Sequence, residues 1–298
     1  MKATTLRVPA GVQARDIAVQ DIRTRVVEVD PGNNLPALIL LHGGGVDSAL
    51  VSFGSALVAP GQRRRVIAPD LPGYGETEFP ESSFSIPWYG DWVVDLIRGY
   101  GFDRVDLGGL SLGGWITLEV AIKHPDVVHR IIPINPGGIT ENFKFMRTAK
   151  WITHHPRLEN RLNRLSVSMG RRLTRMQLRA GVGMKNASAL TDDLIDAVII
   201  SGKRPHAGEA FAATQRWALD GGSENLSLVS ELPRITAKTL ILAGRNDRLV
   251  PVADSIRASQ LVQDGQVRVL EPCGHWLVRD RPDEFVHAVN EFLDAASC

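Results

Sequence analysis

The sequence predicts an α/β fold: a mainly parallel sheet flanked by helices, with a helical segment inserted into it. Three observations carry that expectation. Short apolar runs alternate with segments of helical spacing along most of the chain, which is the pattern of βαβ units. Gly109-Leu110-Ser111-Leu112-Gly113 stands between a strand-like run, Val105–Leu107, and a helix-like run that begins at Gly114. Between Pro136-Gly137-Gly138 and Pro233 the strand pattern stops, and apolar residues recur at three- and four-residue spacing.

Taken in order, Ile17–Val19 and Thr24–Val29 read as short antiparallel strands, followed by a turn at Asp30-Pro31-Gly32-Asn33. Ala37–Leu41 is continuously apolar, as a strand buried on both faces should be, and ends in His42-Gly43-Gly44-Gly45. Further strands are expected at Arg65–Ala68, Val105–Leu107, Arg130–Ile134, Thr239–Leu242 and Val267–Leu270. Helices are expected over Ala49–Val58, Pro87–Tyr100, Gly113–Lys123, Val252–Val262 and Pro282–Ala295. Leu158, Leu162, Leu165, Met169, Leu173 and Met176 mark an amphipathic helix in the insertion. The domain reading is therefore a core of residues 1–138 and 235–298, with residues 139–234 as a helical cap over the site.

Composition narrows the function classes. A net charge of +1 over 298 residues gives no reason to expect a nucleic acid or another bulk polyanion as partner. The N-terminus lacks an apolar signal core and no run is long enough to span a membrane, so a cytoplasmic location is expected. Two cysteines do not make a disulfide framework, and Cys273 reads as a packed small residue. No His, Cys or carboxylate spacing suits a metal, and Gly43–Gly45 do not form a dinucleotide fingerprint, so no metal and no cofactor are expected. The partner is then a small-molecule substrate, with a homodimer left open. The stretch from Lys144 to Lys185 holds eleven basic residues against one acid, Glu159. Its plainer reading is a solvated face whose long side chains cover apolar surface, and its sharper one is attraction of an anionic substrate.

The chemistry rests on Ser111. A serine hydroxyl is a weak nucleophile until a base takes its proton, and that base needs a third group to orient it. Asp247 follows the strand-like run Thr239–Leu242, and His275 follows Val267–Leu270, so both should reach the sheet edge that carries Ser111. The chain order Ser111, Asp247, His275 suits a nucleophile elbow of the G-x-S-x-G type. Gly44 and the N–H of Leu112 are the expected oxyanion donors. Gly43, Gly45, Trp276, Trp151 and Trp217 are expected around the substrate, and Phe143, Phe145, Met146 and Phe211 are further candidates for its apolar walls. Asp70, before Leu71-Pro72-Gly73, reads as a turn stabiliser, and Asp106, inside a strand, as structural. His124, His129, His154, His155, His206 and His287 fall in segments read as helical or inserted, and are taken as surface or packing residues.

These pieces resemble the α/β-hydrolase family: HGGG at 42–45, DLPGYGETE at 70–78, GLSLGG at 109–114, GRNDRLVP at 244–251 and CGHW at 273–276. The resemblance implies a serine hydrolase with Ser111, Asp247 and His275 as its triad, and a His42 that supports the oxyanion loop. HGGG, Pro136-Gly137-Gly138 and CGHW are also similar to the meta-cleavage product hydrolases, which split carbon–carbon bonds in vinylogous diketo acids. That subgroup has an asparagine where this chain has Leu110, and a cap arginine near the position of Val198. A carboxylate buried without a cation is costly. The expectation is accordingly an esterase or lactonase, with the C–C hydrolase as its alternative; a small-molecule receptor and a cofactor-free lyase or perhydrolase stay open.

Overall fold

The computed structural model describes residues 6–81, 83–140 and 170–295. Trp151, Phe143, Phe145, Met146, His154, His155, the Leu158–Met169 part of the apolar stripe and the basic residues from Lys144 to Arg164 lie outside them.

Eight strands among the described residues form one sheet in the order β1-β2-β4-β3-β5-β6-β7-β8. They are β1 Gln13–Val19, β2 Ile22–Val29, β3 Leu38–Leu41, β4 Val66–Pro69, β5 Val105–Leu110, β6 Val128–Ile134, β7 Lys238–Gly244 and β8 Gly265–Leu270. The β1–β2 and β2–β4 pairs are antiparallel and the others parallel. The β1–β2 hairpin turns through Gln20 and Asp21, both at positive φ, as a tight two-residue connection requires. The α/β-hydrolase expectation for the sheet is met.

The buried strands pack on both faces. In β3, Ile39 and Leu41 join the apolar cluster with Leu107, Ile131 and Ile241 on one side. Leu38 and Leu40 face the other cluster, with Ile132, Ile134 and Leu242. This is the two-residue period of a strand, and it explains why such runs read as continuously apolar. Helices α3 (Ile86–Gly99) and α4 (Leu112–Lys123) cover the first face, and α11 (Pro282–Asp294) covers the second.

One helix departs from expectation. Ala49–Val58 is not continuous but breaks into α1 (Ala49–Ser52), a 3-10 turn (Gly54–Leu57) and α2 (Val58–Gly61). Gly54 sits at φ 49, outside the helical basin, and so interrupts the hydrogen-bond ladder. Arg279 fills the gap, donating to the carbonyls of Leu50 (2.6 Å) and Val51 (2.8 Å).

Between β6 and β7 the described residues form helices and no strand: α5 (Gly170–Ala180), α6 (Asp192–Gly202), α7 (Glu209–Asp220) and α8 (Ser223–Leu226). Leu173 and Met176 of the apolar stripe both fall in α5. Two basic residues of α5 are paired by its neighbour: Arg171 with Asp192 and Asp196, and Arg175 with Asp192 at 2.8 Å. For these two residues α6 supplies the acids that the basic stretch itself lacks. Helices α9 (Val252–Leu261) and α10 (Leu277–Asp280) complete the order.

Asp106 has the structural place expected of it. It is fully buried on β5, opposite Arg130 on β6, which grips both carboxylate oxygens at 2.8 Å. Arg64 approaches at 3.4 Å and His129, which lies on β6 rather than in a helix, at 3.3 Å. Arg130 also donates to the Leu293 carbonyl at 2.7 Å, tying α11 to the sheet. Asp106→Ala leaves two buried guanidinium groups without their shared anion and should cost about 3–5 kcal/mol of stability. Urea unfolding of the purified variant measures this, and an unchanged midpoint would contradict it.

Candidate active site

Register places the site. Leu41 pairs with Gly109, Gly109 with Pro133, Ile134 with Leu242, and Gly244 with Leu270. The carboxyl ends of β3, β5, β6, β7 and β8 therefore finish level, and the loops that follow them converge on one edge, where open α/β sheets bind ligands.

Ser111 stands between β5 and α4 at φ 54, ψ −107, a strained conformation for a residue with a side chain. Its backbone is held there on both sides: its N–H donates to Ile134 O (2.9 Å), and its carbonyl accepts from Trp115 and Gly137 (both 2.9 Å). The flanking glycines are required by contact. A Cβ on Gly113 would collide with the carbonyls of Leu41 and His42, and one on Gly109 with the Gly113 backbone. The sharp turn leaves Ser111 half-buried and facing the cavity.

His275 follows β8. Its Nδ1 lies 2.7 Å from Asp247 Oδ2, and the Asp247 side chain is wholly buried. Asp247 Oδ1 accepts the N–H groups of Leu249 (2.7 Å) and Val250 (3.0 Å), so each oxygen has its own task. The loop carrying His275 is anchored by two residues that the sequence did not flag. Asn135, at φ 40 after β6, donates to His275 O (2.7 Å) and accepts from Gly244 N (2.9 Å), joining three strand ends. Buried Asp280 accepts from Gly274 N (2.7 Å), Lys185 N (2.9 Å) and Asn186 N (2.6 Å), tying the segment after α5 to the same loop. A carboxylate serving only backbone donors leaves no pattern in the sequence, so Asp280 could not be found there.

The glycine loop after β3 is braced from beneath. His42 is buried; its Nε2 accepts from Leu71 N–H (2.9 Å), which leaves Nδ1 to donate to Gly43 O (2.7 Å). Burial lowers its pKa to about 4, so the ring is neutral at pH 7 and serves as a brace. Asp70 accepts from Ala49 N and Glu76 N, both at 2.8 Å, in the turn-stabilising role expected. Asp47, a further residue the sequence did not reveal, accepts from Gly43 N (3.0 Å), Ser48 N (2.8 Å) and Ser52 Oγ (2.6 Å). Burial still pushes its carboxyl up to about 6, against those donors and Arg279. Gly43 N–H is thus engaged, whereas the N–H groups of Gly44 and Leu112 find no acceptor among the described residues. Leu112 opens α4, where the free N–H groups of a helix point outward.

Ser111 and His275 share a cavity of about 280 Å³ with Gly43, Gly44 and Gly45. Its walls are apolar: Leu178, Val182, Val198 and Phe211 from the segment between β6 and β7, and Leu249 and Trp276 from the core. Val198, placed from the sequence near a cation position, does line this cavity, and no lysine or arginine lines it among the described residues. Leu110 also reaches it. Trp217 is a correction. It lies in a separate cleft against Trp115, with ring centroids 6.5 Å apart. Phe211 lies six residues earlier on α7, roughly 120° away around the helix, and it is Phe211 that faces Ser111. Cys273, beside the histidine, is fully buried, and burial raises its thiol well above the usual range, so it is the inert packed residue expected.

The family model described as the alpha/beta hydrolase family matches residues 38–288. The chain belongs to that family. It is 30% identical to the 2-hydroxy-6-oxo-2,4-heptadienoate hydrolase of Pseudomonas putida, over 94% of this chain and 96% of that one. It is 28% identical to the 2-hydroxymuconate semialdehyde hydrolase of Pseudomonas sp. strain CF600, over 95% and 94% of the two chains. Among solved structures, a serine hydrolase involved in carbazole degradation superposes with a TM-score of 0.78 at 22% identity, covering 95% of this chain and 99% of that one. A hydrolase on this fold is therefore supported, and the relatives fit the C–C alternative better than the ester or lactone reading that the sequence put first. No helix among the described residues is long and apolar enough to cross a membrane.

Proposed function

We infer that this hydrolase cleaves a carbon–carbon bond next to a carbonyl in a vinylogous diketo acid, using Ser111, His275 and Asp247. The observation that carries the reading is likeness over nearly the whole chain to relatives named as hydrolases of such compounds. The paired His275–Asp247 groups and Ser111 around one cavity are consistent with it.

In this mechanism His275 Nε2 takes the Ser111 proton as Oγ adds to the carbonyl. Asp247 holds Nδ1–H, which fixes the tautomer and stabilises the imidazolium. The oxyanion is met by the free N–H groups of Gly44 and Leu112. The C–C bond then breaks, its electron pair passes into the conjugated keto system of the leaving fragment, and His275 returns the proton. Water activated by His275 hydrolyses the acyl-serine. Residues 139–234 act as the cap that supplies the apolar walls, and no cofactor enters.

The cavity sets the orientation of the substrate. A carboxylate buried among Val198, Leu178 and Phe211 would lack a counter-ion, at a cost of several kcal/mol. The acyl end therefore enters the cavity and the acid end lies toward solvent. Val198→Arg would place a cation beside the acyl end only, so the KM ratio of an acid substrate to its methyl ester should stay within a few-fold of wild type. A tightening of the acid alone by about ten-fold or more would place the acid end inside the cavity, beside residue 198.

The same apolar lining favours a second reading, an ester or lactone hydrolase. One panel separates them: a dienoic diketo acid, its methyl ester, short-acyl p-nitrophenyl esters and lactones, each on wild type and Ser111→Ala. Serine-dependent turnover of the diketo acid supports the C–C reading. Serine-dependent turnover confined to esters or lactones replaces it, and binding without turnover indicates a receptor.

A further inference from the structure

A second cleft, of about 790 Å³, opens between α3, α4 and the α7–α8 region, and shares no lining residue with the Ser111 cavity. Trp115 and Glu119 line it from α4, Trp217 from α7, Ile86 and Pro87 from the start of α3, and Leu228 from the far side. Glu119 lies eight residues beyond Ser111 on the α4 side, roughly 12 Å along the helix axis, so the two cavities are distinct places on one element.

Glu119 is the unusual member. It is only 4% exposed, and no hydrogen bond or ion pair engages its carboxyl among the described residues. Carboxylates this enclosed are ordinarily paired, because a poorly solvated charge is expensive; the Glu119 oxygens keep some contact with solvent on the cleft wall. The Asp106 carboxylate in the same protein, with its two arginines, shows the ordinary solution. The described groups around Glu119 do not supply a hydrogen-bonded or ion-paired partner. Lys123 and His124 favour its ionised form and Asp91 and Glu231 oppose it, all at longer range, while burial dominates and raises its pKa. Gly90 of α3 packs against its methylenes, and a Cβ there would come within 3.3 Å of Glu119 Cγ. The cleft also carries Glu224, Glu231 and one cation, Lys123; Glu231 is paired with Arg234, and the lining as a whole has more acids than bases.

We propose that this cleft is a binding site for an organic ammonium ion attached to an apolar or aromatic body, with Glu119 as its counter-ion and Trp115 and Trp217 as its walls. Indole rings attract cations through their faces, and the apolar residues beside them accept the uncharged part of the ligand. A neutral ligand of the same shape would leave Glu119 unpartnered, and an anion would be repelled. The site is independent of the C–C hydrolase reading, since it uses no residue of the Ser111 cavity.

Calorimetry with phenethylamine and its neutral counterpart 2-phenylethanol, both at neutral pH, tests this. Wild type should bind the ammonium at millimolar concentration or below, at least about ten-fold tighter than the alcohol. Glu119→Gln keeps the size of the side chain and should erase that preference, while Ser111→Ala keeps it. Trp217→Leu should weaken the ammonium several-fold, and it tests the cleft from the other side should the Glu119 variant fail to fold. No binding of the amine, equal binding of both ligands, or a preference retained in folded Glu119→Gln would each overturn the proposal. Loss of binding in Ser111→Ala would do the same, because it would move the amine to the other cavity.

Discussion

Ser111→Ala is expected to lower kcat by at least about 10³-fold, on whichever substrate of the panel is turned over, while the unfolding midpoint stays where it is. The size of the effect follows from the position of the residue. Ser111 is the hydroxyl at the elbow, its backbone held by Ile134, Trp115 and Gly137 rather than by its side chain. Removing Oγ therefore removes the proposed nucleophile and little else. The residual rate would come from the Gly44 and Leu112 donors acting on bound substrate. A fluorophosphonate should label the wild-type serine, which peptide mass spectrometry can locate. Folded protein that takes no label at Ser111, or a variant within a few-fold of wild type, would remove this residue from the mechanism.

Asp247→Asn should cost about 10⁴ in kcat, for a reason visible in its contacts. All three partners of the carboxylate are donors: Leu249 N–H and Val250 N–H on Oδ1, and His275 Nδ1 on Oδ2. An amide offers one acceptor oxygen. If that oxygen stays with the loop, the NH₂ group faces Nδ1 and selects the tautomer with its proton on Nε2, which cannot accept the serine proton. If it turns instead toward His275, two backbone donors lose their acceptor and the loop loosens. The first outcome leaves stability near that of wild type and the second lowers it, so a melting curve beside the rate distinguishes them. Activity within a few-fold of wild type would show that the orienting acid is another residue.

Much of this architecture was legible in the chain because its signals are local. The apolar runs at Ala37–Leu41 and Thr239–Leu242 announce strands covered on both faces, and the register of the observed sheet agrees. Ser111, Asp247 and His275 were legible from their places after strands, since in a parallel sheet such places share one edge. The helix at Ala49–Val58 misled because apolar spacing does not show that Gly54 leaves the helical basin. Two residues of the basic stretch, Arg171 and Arg175, find their acids, Asp196 and Asp192, on the next described helix, which a count of charge within the stretch does not show.

What the residues alone decided was the family, the elbow and the order of the chemical groups, because each depends on residue type and spacing within a short stretch. Only the three-dimensional packing decided which side chains meet. It sent Trp217 to Trp115 and turned Phe211 toward Ser111, although both belong to α7. It gave Asp47, Asn135 and Asp280 their work as anchors of the loops that carry the glycines and His275. It also left Glu119 on the wall of a second cleft, with no hydrogen bond or ion pair among the described residues. Such contacts join residues tens to hundreds of positions apart, and they follow from how helices rotate and dock on the sheet, which no local pattern encodes.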